Sequence, residues 1–287
     1  MSDIEDAFLD GPRVILLQAA DARVTTVDLS TGDVVWRFGR RGAGPGEFAA
    51  PISLFARIGS GVGVVDPRQG RISLIDSSGH LVGSISGELL EKEPHNVCDV
   101  GTRGLLAIRL PGLDVVRASV HGAIVIRDSL VWPRTLMNTE YVYRQGLFAR
   151  SRNGRCVVFA MRGEFFAEFD SETAKPIRFF RYLDGFDFPK MVEQRGRLVP
   201  EVFRTSASSA AVSDNVLFVL KGGEGKSSGR IVDAYSIDDG GYLYSFALPR
   251  SSYKIDVDAG RLMVLEWPDS GSRLDIYQLP TAPEGRQ

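Results

Sequence analysis

Three histidines, His80, His95 and His121, are the first residues to weigh for acid–base or metal chemistry in this 287-residue chain. No two sit at ligand spacing, so a multi-histidine metal centre is not expected. His80 falls on an outer strand and reads as solvated. His95 precedes Asp99 by four residues in the segment His95-Asn-Val-Cys-Asp-Val100. In an extended strand these two share a face, which makes them weak candidates for a general acid and base, although a hydrogen-bonded core histidine is the commoner use of such a residue. Asp256-Val-Asp258-Ala-Gly260 opens like a calcium loop but lacks the later ligands and the terminal glutamate, and it reads as a turn. Gly222-Gly-Glu-Gly-Lys-Ser227 suggests a phosphate loop, yet the first glycine of that motif would fall on Leu220 and a strand follows, so it reads as a hairpin loop. Serines and aspartates are plentiful, but no Gly-x-Ser-x-Gly elbow is present. The sequence implies no cofactor and no metal.

Recognition chemistry has stronger support. Two long connections, residues 130–144 and 184–204, carry Trp132, Tyr141, Tyr143, Arg144, Phe188, Arg197 and Arg204. Aromatic and arginine side chains dominate binding surfaces, and long ordered loops on a rigid scaffold usually carry function. The same residues would also suit a plug, with the aromatics filling a channel and the arginines paired with Asp184, Asp187 and Glu201.

The scaffold that must position these residues is legible from a repeat. A glycine-, asparagine- or aspartate-containing turn recurs at Asp10-Gly11, Gly59-Ser-Gly61, Arg103-Gly104, Asn153-Gly154, Asp214-Asn215 and Ala259-Gly260. Each turn is followed by a short run that is apolar on both faces, such as Val14-Ile-Leu-Leu17 or Leu262-Met-Val-Leu265. A further strand opens on arginine at Arg23, Arg71, Arg230 and Arg273. Second turns, such as Ser30-Thr-Gly32 and Ser77-Ser-Gly79, introduce a fourth strand. Four antiparallel strands in about 45 residues, repeated six times, is the period of a propeller blade. The reading is therefore all-β: a six-bladed β-propeller over residues 1–280, its last blade three-stranded, followed by a polar tail at 281–287. Innermost strands are expected near residues 3–9, 51–57, 95–100, 144–150, 205–212 and 252–258.

Composition agrees and removes some functions. Gly at 31 suits a turn-dense β chain, and 44% hydrophobic residues supply a core. A net charge of −2 gives no footprint for nucleic acid. No apolar run is long enough to cross a membrane. Cys98 and Cys156 each lie in an apolar run and read as buried free thiols, with no disulfide framework implied. The first residues, Met1-Ser-Asp-Ile-Glu-Asp6, lack the basic and apolar regions of a signal peptide. The expectation is a cytoplasmic protein, or an extracytoplasmic one if a leader has been removed.

One joint carries a resemblance. Phe38-Gly-Arg-Arg-Gly-Ala-Gly-Pro-Gly-Glu-Phe48, continuing to Pro51-Ile-Ser-Leu54, resembles the NHL-repeat joint that carries the chain from an outer strand to the next inner one. It is similar also to a bacterial group of TolB-like six-bladed propellers, as is Phe179-Phe-Arg-Tyr-Leu-Asp-Gly-Phe-Asp-Phe-Pro189. Members of that group are commonly exported. Within the joint the glycines and Pro45 set tight turns, Phe48 is expected to wedge between blades and Glu47 to cap backbone N–H groups. The functional expectation is a propeller that binds a peptide, a protein or a small polar ligand on the face bearing the inter-blade crossings. The alternative is a lyase or hydrolase at the channel mouth, using His95, Asp99, Arg144 and Arg204.

Overall fold

A computed structural model describes residues 3–280, apart from 59–60, 88, 90–93, 110–113, 120, 129–145, 150, 164, 184–190, 195–196, 201–204, 224–227 and 267–270. Alternation of apolar residues and turn glycines folds the chain into six antiparallel blades, the first five four-stranded and the sixth three-stranded. The innermost strands are Asp6–Asp10, Ser53–Ala56, Pro94–Asp99, Gly146–Phe148, Ala207–Ser213 and Lys254–Asp258, each bound within three residues of its expected place. Neighbouring innermost strands meet around the ring, except that the blade 5 strand meets the second strand of blade 4, and the first strand meets the sixth. The connection at 184–204 folds back on itself, Met191–Gln194 pairing antiparallel with Arg197–Pro200.

Burial explains why the blades stand as a ring. Each gap between neighbouring blades holds its own cluster of buried apolar side chains, for example Phe8, Val24, Phe48, Leu54 and Val64 between blades 1 and 2. Second strands such as Cys156–Ala160 are buried throughout because they face a gap on both sides. The joint at residues 38–48 supplies one of these gaps. Phe48 is fully buried there. Its N–H donates to the Arg40 carbonyl at 2.9 Å. A Cβ on Gly39, whose φ is +91°, would lie 2.4 Å from the Phe48 ring, so that position admits only glycine. Glu47 accepts from the Gly44 N–H at 2.8 Å and pairs with Arg40. The joint is thus a structural wedge and cap.

Among the described residues ring closure uses side chains, because the first strand already belongs to blade 1 and no described strand is shared with blade 6. Leu9 N–H donates to Asp256 Oδ2 and Gly11 N–H to Asp258 Oδ2, both at 2.8 Å. The Tyr253 hydroxyl donates to the Ile4 carbonyl at 2.8 Å. Ile4, Ala7, Leu9, Met263 and Leu265 pack behind these contacts.

The reading of two free thiols is corrected. Cys98 and Cys156 form a disulfide, with Cα atoms 5.9 Å apart. Cys98 lies in the innermost strand of blade 3 and Cys156 opens the second strand of blade 4, so both side chains enter the same gap. Only blade stacking brings together residues 58 apart in sequence.

A second repeated device sits in the turns before the fourth strands. Asp28 Oδ1 accepts from Ser30 and Thr31 N–H, Asp76 Oδ1 from Ser78 and His80 N–H, and Asp170 Oδ1 from Glu172 and Thr173 N–H. These bonds, led at Asp28 by one from the Ser30 hydroxyl at 2.6 Å, favour the ionised carboxylates, and the acids of all three turns are held below their ordinary value of 3.8. Since the folded values are depressed, their contribution is present above the unfolded value and is lost as pH falls through the folded ones. Chemical denaturation at stepped pH should show stability declining below about pH 4, and the Asp28→Asn, Asp170→Asn variant should show a shallower decline. The disulfide closes a long loop, so an oxidised sample should give no thiol reaction even when denatured. Reduction should lower stability by about 4 kcal/mol on the chain-entropy account; a full thiol titre without reductant would overturn the pairing.

Candidate binding site in the central channel

The innermost strand of a blade has a ladder partner on one side only, so its other edge points into the channel with backbone groups to satisfy. In this ring the acceptors come from neighbouring blades. Asp6 Oδ2 takes Leu54 N–H at 2.8 Å, Asn96 Oδ1 takes Phe148 N–H at 2.7 Å, and Ser209 Oγ takes Ile255 N–H at 3.1 Å. Asp256 serves blade 1 as described, and Asp99 Oδ2 takes the Ile58 N–H of blade 2 at 3.0 Å. Between blades 4 and 5 the Met161 carbonyl accepts from Ser206 and Ala207 instead.

These strands enclose a cavity of about 370 Å³, lined by polar Glu5, Asp6, Ser53, Asn96, Asp99 and Lys254 together with apolar Leu54, Phe55, Leu147 and Phe159. Lys254 Nζ lies 2.6 Å from Asp6 Oδ1. Asp6 is almost fully buried, whereas a quarter of the Lys254 side chain is exposed. Both residues open their strands, so the ion pair marks the end of the channel at which the inter-blade crossings arrive.

The opposite end is barred by Arg152. This residue follows the innermost strand of blade 4 and reaches across the ring to blades 6 and 1. Its guanidinium donates to the Val257 carbonyl at 3.1 Å, to Asp256 Oδ2 at 2.5 Å and to the Leu9 carbonyl. It also lies 5.5 Å from the centre of the Phe8 ring. A planar fork with several fixed donors can tie three acceptors in this way, where a lysine could not. Asp256 is fully buried, so Arg152 is its compensating charge. Asp10, beside this bridge, is held above the ordinary value of 3.8, chiefly by burial, against the pull of Arg152 and with a further push from Asp258.

Of the residues singled out from sequence, Asp99 is a described channel residue, and its two carboxylate oxygens take the Ile58 and Gly101 N–H groups. His95 stands where the register shifts, since Asn96 pairs with Ile108 and Pro94 with Arg109. A bulge interrupts two-residue alternation, so alternation alone does not carry His95 onto the face of Asp99. The His95 side chain lies outside the described set, as does that of Arg197, whose backbone pairs with Gln194. Trp132, Tyr141, Tyr143, Arg144, Phe188 and Arg204 lie outside the described residues. Asp6, Lys254 and Arg152 were not singled out. Asp6 and Lys254 could have been noticed as charges that open innermost strands, each followed by an apolar residue. Arg152 has no sequence signal, because it sits in an ordinary hairpin turn. The Asp256-Val-Asp258 segment serves ring closure, and no metal-binding group of three or more ligands occurs among the described residues.

Comparison with known proteins supports the architecture and goes no finer. No protein-family model matches the chain, and no curated protein matches it. Solved structures do match. A Bacteroides fragilis protein described as exported aligns at TM-score 0.61 and 10% identity, covering 92% of this chain and 79% of the other. Virginiamycin B lyase from Staphylococcus aureus aligns at 0.57 and 11%, covering 98% and 85%. The WD40 domain of Neurospora crassa Pan2 aligns at 0.56 and 10%, covering 99% and 81%. At such identities the likeness is one of fold.

The bridge yields a test. Arg152→Ala strands the buried Asp256 carboxylate and should lower stability by about 2–4 kcal/mol in a denaturant titration, with Arg152→Lys recovering only part of it. A loss of less than about 0.5 kcal/mol, the size expected of an ordinary surface substitution, would show that the bridge does not hold the ring.

Proposed function

We propose that this protein is a binding propeller of the NHL-like, TolB-like kind, which receives a peptide, a protein element or a small polar ligand at the channel mouth on the crossing face. One observation carries the reading: the channel sets polar Asp6, Asn96, Asp99 and Lys254 among apolar side chains, is spanned toward its far end by Arg152, and keeps a partly exposed lysine, Lys254, at its other end. A one-ended pocket on a rigid scaffold is the usual form of a ligand site. The lyase or hydrolase reading would use the same mouth. Its described candidate, Asp99, closes its innermost strand and so lies toward the opposite end, and it already engages two backbone N–H groups, which favours binding over proton transfer. The aromatic and arginine residues of the two long crossings are proposed to complete the mouth, Arg144 and Arg204 in particular. The net charge of −2 argues against a nucleic-acid partner, and no described helix is long and apolar enough to cross a membrane. The Cys98–Cys156 disulfide supports folding in an oxidising, extracytoplasmic compartment.

The test is a thermal-shift panel of amino acids, short peptides and small carboxylates on the intact protein. At least one class should raise the melting temperature. Ser208→Phe, which places a ring in the channel, and the pair Arg144→Ala, Arg204→Ala should each abolish that rise while leaving the unliganded melting temperature within a few degrees. Binding that survives Ser208→Phe would move the site out of the channel. A large loss of stability in the arginine pair without a binding defect would show those residues to be a plug.

A further inference from the structure

Blades 5 and 6 carry the same third strand, and among the described residues only that of blade 5 is covered by a fourth. In blade 5 the strand Ile231–Ser236 includes Val232-Asp-Ala-Tyr-Ser236, and in blade 6 the strand Arg273–Gln278 includes Leu274-Asp-Ile-Tyr-Gln278. The registers agree: Asp233 and Tyr235 face Val219 and Leu217, and Asp275 and Tyr277 face Val264 and Leu262. Each tyrosine hydroxyl donates to its own strand's aspartate, at 3.2 Å in blade 5 and 3.3 Å in blade 6.

In blade 5 a fourth strand, Tyr242–Ala247, completes the arrangement. Ser245 Oγ donates to Asp233 Oδ1 at 2.6 Å, and the Tyr242 ring meets the Tyr235 ring edge-on at 5.9 Å. Tyr235 is 1% exposed. In blade 6 no fourth strand is present among the described residues, and the four central residues of Arg273–Gln278 remain half-buried. The gap beyond it repeats the pattern. The fourth strand of blade 1 sends Trp36 and Phe38 into the gap between blades 1 and 2, and that of blade 5 sends Tyr244 and Phe246 into the gap between blades 5 and 6. Among the described residues the gap between blades 6 and 1 receives no such pair, and its Val27, Leu29, Leu274 and Ile276 stay partly exposed.

We propose that the outer edge of Arg273–Gln278 is a docking site for an extended segment of a partner protein, which adds as the fourth strand of blade 6. The chain's own covered blades specify the occupant's chemistry: aromatic residues at alternate positions to fill the gap between blades 6 and 1, and a hydroxyl residue that takes over Asp275 from Arg273, whose Nε lies 3.0 and 2.9 Å from its two carboxylate oxygens. Strand addition to a sheet edge draws affinity from backbone hydrogen bonds and selectivity from alternate side chains. Residues 281–287, Thr-Ala-Pro-Glu-Gly-Arg-Gln, contain no aromatic residue and interrupt the N–H row at Pro283, so this segment does not match the template.

The probe is a fluorescein-labelled peptide copying residues 240–247, titrated against the full chain by anisotropy. Saturable binding is expected, weakened about tenfold or more when proline replaces the peptide's central tyrosine, as strand addition requires. Asp275→Ala and Tyr277→Ala should each weaken it several-fold without lowering the melting temperature appreciably. Bound peptide should slow amide exchange within residues 273–278. Absence of binding, or slowed exchange elsewhere, overturns the proposal. So does exchange at 273–278 that is already slow in the unliganded chain and quickens on deletion of 281–287, since the chain's own tail would then be the occupant. A concentration-dependent dimer broken by Tyr277→Ala would overturn it in favour of a second copy.

Discussion

A propeller sets its innermost strands side by side with no ladder between them, and an unpaired buried N–H costs about as much as a lost hydrogen bond. In this chain that constraint is met by short acceptor side chains reaching from one blade to the next: Asp6, Asn96, Asp99, Ser209 and Asp256. The rest of the ring depends on it. Apolar packing in the six gaps holds neighbouring blades face to face but is non-directional, so it does not by itself fix how high one blade sits against the next. An aspartate aimed at a particular amide does.

The same solution shapes what the channel can do. Most of its described carboxylates are committed to backbone amides or to a cation, so their charge is structural before it is available to a ligand. Lys254 is the described cation that keeps exposure at the mouth, and it too leans on Asp6. Arg152 goes further, spending its guanidinium on two blades across the ring and closing the far end. What remains among the described residues is a pocket lined by both polar and apolar groups. That arrangement selects by shape and hydrogen bonding more readily than by strong charge.

Repetition with drift accounts for the differences among blades. The full glycine-rich joint occurs between blades 1 and 2, where Phe48 fills the gap and Gly39 makes room for it. Between blades 3 and 4 the gap is instead crossed by the Cys98–Cys156 disulfide. Between blades 6 and 1, closure falls to Asp256, Asp258 and Tyr253 acting on backbone groups. Each replaces one kind of interblade tie by another of comparable reach, and the ring tolerates the exchange because each gap packs its own cluster.

How much was legible follows from the range of each interaction. The strand-turn-strand unit, its six-fold recurrence, the three-stranded last blade and the wedge role of Phe48 are all local in sequence: turns need glycine, aspartate or asparagine at set places, and buried strands need consecutive apolar residues. The sequence by itself therefore determined the architecture, including which strand lies innermost in every blade. Only the tertiary structure decided that Cys98 meets Cys156, that Asp99 serves an amide of blade 2, and that Arg152 spans the channel to Asp256. Those partners are separated by 58, 41 and 104 residues. No local pattern encodes such pairings, because they are set by the rotation from blade to blade that brings distant strand ends to a common axis.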